Sequence, residues 1–353
     1  MRWCGVSRRG IFMAGWRIFH RHIRARRRRP PFCRALALAV ILRSSDAVDP
    51  LWSVVLAGGR GTRLAGVTGG VPKQFWAPPG GHSLLEDTLE RLAPLTDPLH
   101  TVTVVDDTHH CYVDPLRARL PIGDVIYQPA DRGTAAGVLL ATCQVSMCDP
   151  GALLVITPSD HGIKNADEFR AGVLAAAAHV RRHRDDVVLL GVEPQSAAGD
   201  YGWIVTMRVP DRDTLDVAAF VEKPAAAAAE RLFATGAVWN TMVLVATAEA
   251  ILALCRRYVP DLAAAFEGFR FLSVARRDQQ VRSLYEHLPV FDFSSDVLTH
   301  ASGLQCLPWR ASIGWTDLGT PDRLAAWLGR DGVPAKKKRR PVTRQTSSDA
   351  IRH

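Results

Sequence analysis

The sequence predicts an α/β fold with a doubly wound, mixed sheet, and three observations carry that expectation. Short apolar, β-rich runs alternate with helical patterns from residue 51 onward. The early runs are continuously apolar rather than alternating, as in parallel strands covered on both faces. A glycine-rich stretch, "VLAGGRGTRLAGVTGGVPKQF" at residues 55–75, follows the first run, at the carboxyl edge where open α/β sheets hold ligands.

Taken in order, "LWSVVLA" reads as the first buried strand and "SLLEDTLERLAPL" as a helix. The strands "HTVTVVDD" and "DVIYQPA" follow, then a helix over "GTAAGVLLATCQVS" and the strand "ALLVITPSD". The helix "ADEFRAGVLAAAAHVRRH" leads into "VVLLGVE". After about residue 195 the pattern changes: "YGWIVTM" and "LDVAAFVEKP" resemble antiparallel strands, and "AAAAAERLFATG" is an alanine-rich helix closed by Gly236. "VWNTMVLVAT", two or three helices through "DQQVRSLYEHLP", the strand "GLQCLPW" and "ASIGWTDLGTPDRLAAWL" complete residues 51–330. No internal repeat or Pro/Ser-rich linker divides this stretch, so one continuous domain is expected.

Charge separates that domain from the ends of the chain. The 353 residues carry a net +9. Residues 1–50 hold +10 (12 basic against 2 acidic residues) and residues 331–353 hold +5 (7 against 2), which leaves −6 on residues 51–330. The basic character therefore argues for no specific nucleic-acid partner of the domain. Residues 1–48, with "RHIRARRRRPP", read as a disordered tail or a start assigned too early, although "SRRGIF" and the apolar "CRALALAVIL" weakly suggest an export signal. Residues 331–353 read as a second basic, disordered tail. No run reaches the roughly 18 apolar residues of a membrane span. Seven scattered cysteines without a CxxC pair fit neither a disulfide framework nor zinc, and point to a reducing, cytoplasmic setting.

Six glycines in residues 55–75 match neither common phosphate cradle. A Walker A loop needs Gly-Lys-Ser/Thr, but Lys73 lies between Pro72 and Gln74; a dinucleotide fingerprint needs glycine where Leu64 stands. A glycine-rich turn without ligand stays open on this stretch alone.

Laid in order, "AGGRGTRL…VPKQF", "QPADRGTAAG", "PSDH", "GDYGWI", "FVEKP", "WN" and "GWTDLGT" resemble the sugar-phosphate nucleotidyltransferases across residues 51–330. The pairing of "PKQF" with "PSDH" is most similar to mannose-1-phosphate guanylyltransferases. The resemblance implies a Rossmann-like sheet of the nucleotide-diphospho-sugar transferase type, with a nucleotide-binding half at about 49–195 and a sugar-binding half at about 196–330. It also implies attack by a sugar 1-phosphate, with mannose 1-phosphate the leading candidate, on the α-phosphorus of GTP or another nucleoside triphosphate. That nucleophile is already an anion, so the chemistry needs cations and hydrogen-bond donors rather than a general base.

Carried onto this chain, the resemblance gives each residue a task. The backbone at Gly58, Gly59, Gly61 and Thr62 faces the triphosphate, and Arg63 and Lys73 stabilise the leaving pyrophosphate. Asp160 and Asp317 hold Mg²⁺. Gln128, Gly133 and Thr134 read the base, while Gly202, Glu222, Lys223 and Asn240 hold the sugar phosphate, Lys223 neutralising its charge. His161 is expected to be structural, since no proton transfer is required. Each residue alone has a plainer reading, as a turn former, a surface cation or a helix cap such as one near Asp131.

Two departures stand out. Ala65-Gly66 replaces a usual proline, and Met242 stands where "WNSG" or "WNTG" places glycine. The short remainder after "GWTDLGT" makes a bifunctional isomerase unexpected. A non-catalytic nucleotide-sugar sensor or scaffold, and polyanion binding through the tails, are the competing functions; homo-oligomer formation is compatible with the sequence.

Overall fold

The computed structural model describes residues 50–329 apart from 121, 211 and 269–273, so the expectations for the two basic tails lie outside the described residues. A nine-stranded mixed sheet runs through the domain. Its strands are β1 (Leu51–Ala57), β2 (Thr101–Asp106), β3 (Asp124–Gln128), β4 (Leu153–Pro158), β5 (Val188–Val192), β6 (Gly202–Arg208), β7 (Leu215–Glu222), β8 (Val238–Thr247) and β9 (Gln305–Trp309). The spatial order is β3-β2-β1-β4-β8-β5-β9-β7-β6.

The first four strands are parallel neighbours, and β8 enters antiparallel between β4 and β5. The β6–β7 hairpin attaches to β9, and β6 also reaches the start of β8, where Trp203 pairs with Trp239. One sheet therefore carries both the early and the late part of the chain.

Helices cover both faces: α1 (Leu84–Leu92), α2 (His110–Arg119), α3 (Gly133–Cys148), α4 (Ala166–Arg182), α5 (Ala226–Ala234), α6 (Ala248–Tyr258), α7 (Pro260–Glu267), α8 (Val274–His287) and α9 (Pro321–Trp327). Successive strand residues point to opposite cores. Val54, Leu154, Leu189 and Leu244 pack with α3, α6 and α7. Val55, Val155, Val188 and Val245 pack with α1, α2 and α4. This explains the continuous apolar runs: each side of these strands is buried. Helix α3 lies between the sheet and α6–α7, so its apolar residues surround it instead of forming one stripe.

Local signals set the helix starts. Ser83 caps α1, its hydroxyl accepting from the Glu86 amide while the Glu86 carboxylate accepts from the Ser83 amide at 2.8 Å, a capping box. Asn165, Thr247 and Thr320 cap α4, α6 and α9 through their side-chain oxygens. Helix α2, absent from the sequence expectation, has only two buried residues and a proline inside it, which explains its weak pattern.

Of the cysteines among the described residues, Cys111 is exposed and Cys143, Cys148, Cys255 and Cys306 are buried. Among the same residues no helix is long and apolar enough to cross a membrane.

Candidate functional site

The parallel register brings four strand ends to one edge. Leu56 pairs with Pro158 and Asp106 with Gln128, while the Ser159 amide donates to the Leu56 carbonyl at 3.0 Å. The loops leaving β1, β3 and β4 thereby frame a cavity of about 370 Å³. Gly58, Gly59, Gly61, Gln128, Gly133, Thr134 and Asp160 all line it.

Tight geometry accounts for the glycines. Gly61 takes a left-handed φ of 60°, and a Cβ there would meet the Lys73 amide nitrogen at 2.7 Å. Gly58 leaves room for Gln128, whose Oε1 would stand 2.8 Å from a Cβ at that position. No atom lies within 4 Å of a Cβ built on Gly59 or Gly66; the Ala65–Thr68 turn therefore shows no steric demand for Gly66. Thr62 and Arg63 follow the loop in an exposed helical turn outside the cavity lining.

The three residues expected to read a base are more constrained than their types suggest. Gln128 is buried and its amide contacts the Tyr285 hydroxyl of α8 at 3.0 Å. Thr134 is tied within the chain, donating to Asp292 at 3.0 Å and accepting from the Phe293 amide at 2.7 Å. Gly133 packs its Cα against the same segment at φ 79°, where a Cβ would stand 2.1 Å from the Phe291 carbonyl oxygen. Gly133→Ala is expected to destabilise the protein by about 2–4 kcal/mol through left-handed strain and this backbone clash, measured by urea unfolding. The helix start is also fastened as the plainer reading expects, since the Asp131 carboxylate accepts from the Gly133 amide at 3.1 Å.

Lys73 joins segments far apart in sequence. It sits in a helical turn after Pro72 and is 6% exposed. Its ammonium lies 3.1 Å from the Asp160 carboxylate and donates to the Asp317 carbonyl. Asp317 Oδ1 collects three donors: the Arg323 guanidinium at 2.9 Å, the Gly319 amide at 3.0 Å and the Tyr201 hydroxyl at 3.3 Å. Burial opposes charge on Asp317, but the Gly319 amide, Arg323 and Lys73 outweigh it and hold the carboxyl below its usual range.

Gly202, Glu222, Lys223 and Asn240, expected to hold a sugar phosphate, form a cluster of their own. A Cβ on Gly202 would meet Glu222 Oε2 at 2.7 Å and Asn240 Cβ at 3.3 Å, so the glycine allows these side chains to converge. Lys223 is exposed, at φ 43°, and its ammonium pairs with Glu222 at 2.7 Å. The Lys223 amide donates to the carbonyl of Tyr201, whose hydroxyl reaches Asp317. These four residues lie outside the cavity lining, as do Lys73, Tyr201 and Asp317; Met242, whose amide donates to Asn240, is part of it.

A profile described as nucleotidyl transferase matches residues 52–328. The chain belongs to the nucleotidyl transferase family. It is 28% identical to the xanthan biosynthesis protein XanB of Xanthomonas campestris over 289 residues, 79% of this chain and 60% of that protein. It is 30% identical to a mannose-1-phosphate guanylyltransferase of Sinorhizobium fredii over 299 residues, 82% of this chain and 57% of that protein. The chain thus spans about three fifths of the length of these curated relatives. A Thermus thermophilus structure, described as a mannose-1-phosphate geranyltransferase, superposes with a TM-score of 0.70 at 28% identity, covering 80% of each chain. A Helicobacter pylori protein described as a mannose-6-phosphate isomerase shares the fold, with a TM-score of 0.61 at 21% identity over 76% of this chain and 99% of that one.

Within this member of the nucleotidyl transferase family, several supporting residues escaped the sequence reading. Gln74 donates to the carbonyls of Ala57 and Gly59, both at 2.7 Å, and so fixes the glycine loop from below. Its place beside Lys73 in "PKQF" was the available signal. Arg323 of α9 spans Asp317 and Asp200, at 2.9 and 2.6 Å, with its guanidinium 4.4 Å above the Tyr201 ring. Asp106 and Asp292 also line the cavity.

His161, expected to be structural, lines the cavity next to Asp160. Its Nδ1 accepts from the Trp315 indole at 3.3 Å. Burial, aided by the Lys73 ammonium, lowers the imidazole to about 4 against the pull of Asp160, so it is neutral near pH 7.

Proposed function

We propose that this chain joins mannose 1-phosphate to GTP, giving GDP-mannose and pyrophosphate. The observation that carries the reading is the junction of the glycine loop, Lys73, Asp160 and Asp317 at the carboxyl edge of the sheet, beside a cavity that Gln128 helps to line. The sequence relatives named mannose-1-phosphate guanylyltransferase support the choice of mannose and guanine.

The assignments follow from charge and position. The loop at Gly58, Gly59, Gly61 and Thr62 receives the triphosphate, and Arg63 reaches it from the exposed turn. An oxygen of the sugar phosphate attacks the α-phosphorus as the bond to the β-phosphate oxygen breaks, and Lys73 neutralises the departing pyrophosphate. Gln128, Gly133 and Thr134 shape the base pocket. Gly202, Glu222, Lys223 and Asn240 hold the hexose phosphate, with the Lys223 cation on the phosphate.

The donor set suits a hard divalent cation, which prefers one or two carboxylates together with phosphate oxygens. Asp160 borders the cavity, and the Oδ2 of Asp317 is left over from the three donors on Oδ1. Both would hold Mg²⁺, which supplies charge neutralisation to the phosphates. Arg323 keeps Asp317 oriented. Arg323→Ala is expected to lower kcat about 10- to 100-fold, with Arg323→Lys failing to restore it because a lysine cannot grip Asp317 and Asp200 together. Steady-state rates of the two variants check this.

A panel of nucleoside triphosphates against sugar 1-phosphates, followed by pyrophosphate release, tests the function. Fastest release is expected with GTP and mannose 1-phosphate; another preferred pair overturns the specificity, and release with none overturns the activity. Retention of Lys73, Asp160 and Asp317 in one connected group favours turnover over a sensor that only binds.

A further inference from the structure

Strand β8 contains a defect aimed at the cavity. Leu190 of β5 pairs with Val243, but the next residue, Gly191, pairs with Asn240, so Thr241 and Met242 bulge from the ladder. Thr241 turns into the core, fully buried, its hydroxyl donating to the Leu190 carbonyl and accepting from the Val243 amide at 3.2 Å. Met242 turns the other way and lines the cavity.

The backbone of Met242 stands at φ 57°, a region unfavourable for any residue with a side chain. Two contacts hold it there. Its amide donates to Asn240 Oδ1 at 3.1 Å, and the Ser294 hydroxyl approaches its sulfur at 3.2 Å. A strained residue beside a cavity, enforced by its surroundings, points to a task for its side chain.

We propose that Met242 determines sugar selectivity by excluding sugar 1-phosphates that carry a bulky substituent such as an N-acetylamino group. This rests on the transferase reading above. Met242 stands where the cavity adjoins the Gly202–Glu222–Asn240 cluster: its amide is fastened to Asn240, its sulfur lies at Ser294, and the residue lines the cavity. It fills space there and offers only a weak acceptor, so an amide pressed against it would lose its hydrogen bonds to water without replacement.

The test compares the parent with Met242→Ala and Met242→Gly. Alanine removes the bulk but keeps the strained backbone, whereas glycine removes both. Rates of pyrophosphate release are measured with mannose 1-phosphate and N-acetylglucosamine 1-phosphate. Calorimetry measures binding of GDP-mannose and of GDP-N-acetylglucosamine to the same proteins. The parent is expected to favour the unsubstituted sugar, and both variants to reduce that preference about tenfold or more, the scale on which pocket bulk discriminates. An unchanged preference in both variants, or a parent that favours the N-acetyl sugar, overturns the proposal. If the parent binds nucleotide sugars selectively without turnover and the variants lose that selectivity, the role of Met242 stands and the catalytic reading falls.

Discussion

Lys73→Gln is expected to lower kcat for pyrophosphate release by about 10²- to 10³-fold, the cost of removing one preorganised charge or donor from a transition state. The Michaelis constant for the nucleotide should change far less. The reason lies in placement. Lys73 is almost wholly buried, packed against Gly61 and bound to both the Asp160 side chain and the Asp317 carbonyl, so its charge is already fixed before substrate arrives. Glutamine keeps a polar side chain of similar width but is shorter and neutral, and it reaches neither partner as a cation. Steady-state kinetics beside circular dichroism separate this outcome from misfolding. A rise in the Michaelis constant at unchanged kcat would make Lys73 a uniform binding residue and remove it from the chemical step.

Asp317→Asn and Asp160→Asn are expected to reduce turnover by about 10³-fold or more and to raise the Mg²⁺ concentration needed for half-maximal rate, because each removes one of the two anionic oxygen donors. The Asp317 change is the more instructive. Asparagine can still accept from Arg323, Gly319 and Tyr201 through its oxygen, so those contacts and the fold persist. Only the second oxygen becomes an amide. That oxygen lies beside Gly319, where an added Cβ would stand 2.5 Å from it, so the glycine makes room for it. Full activity in either variant removes that residue from the cation site. The same experiment reports on pH: the Asp317 carboxyl lies below its usual range, so its loss of charge is expected only in acid, beneath the range of an ordinary aspartate.

The fold was legible wherever its cause was local. Continuous apolar strands alternating with helical patterns announced the layers, and the glycine loop announced the edge that the cavity occupies. Strand order was not legible, because the insertion of β8 between β4 and β5 depends on packing between segments separated by many residues. In the site, "PKQF", "PSDH" and "GWTDLGT" identified Lys73, Asp160 and Asp317. Their meeting through one ammonium required the fold. Gln128 and Thr134 were legible as polar groups expected to meet a base, yet their ties to Tyr285, Asp292 and Phe293 come from a segment far along the chain.

Residues that position others were the least visible. Arg323 looks like a common helix cation until its two carboxylate partners and the Tyr201 ring are seen together. Met242 was conspicuous as a substitution for glycine, but its left-handed backbone follows from the β-bulge, which no local propensity signals. Gly66 remains unexplained by contacts, since the turn that holds it would accept a side chain there.

The central claim is reversible transfer of a nucleotidyl group, and isotope exchange tests it most directly. Radiolabelled pyrophosphate is incubated with the protein, Mg²⁺ and GDP-mannose, and the triphosphate is isolated. Label is expected in GTP, dependent on the nucleotide sugar and lost in Lys73→Gln. Binding of GDP-mannose with no label entering any triphosphate, from GDP-mannose or from other nucleotide sugars, would contradict the claim.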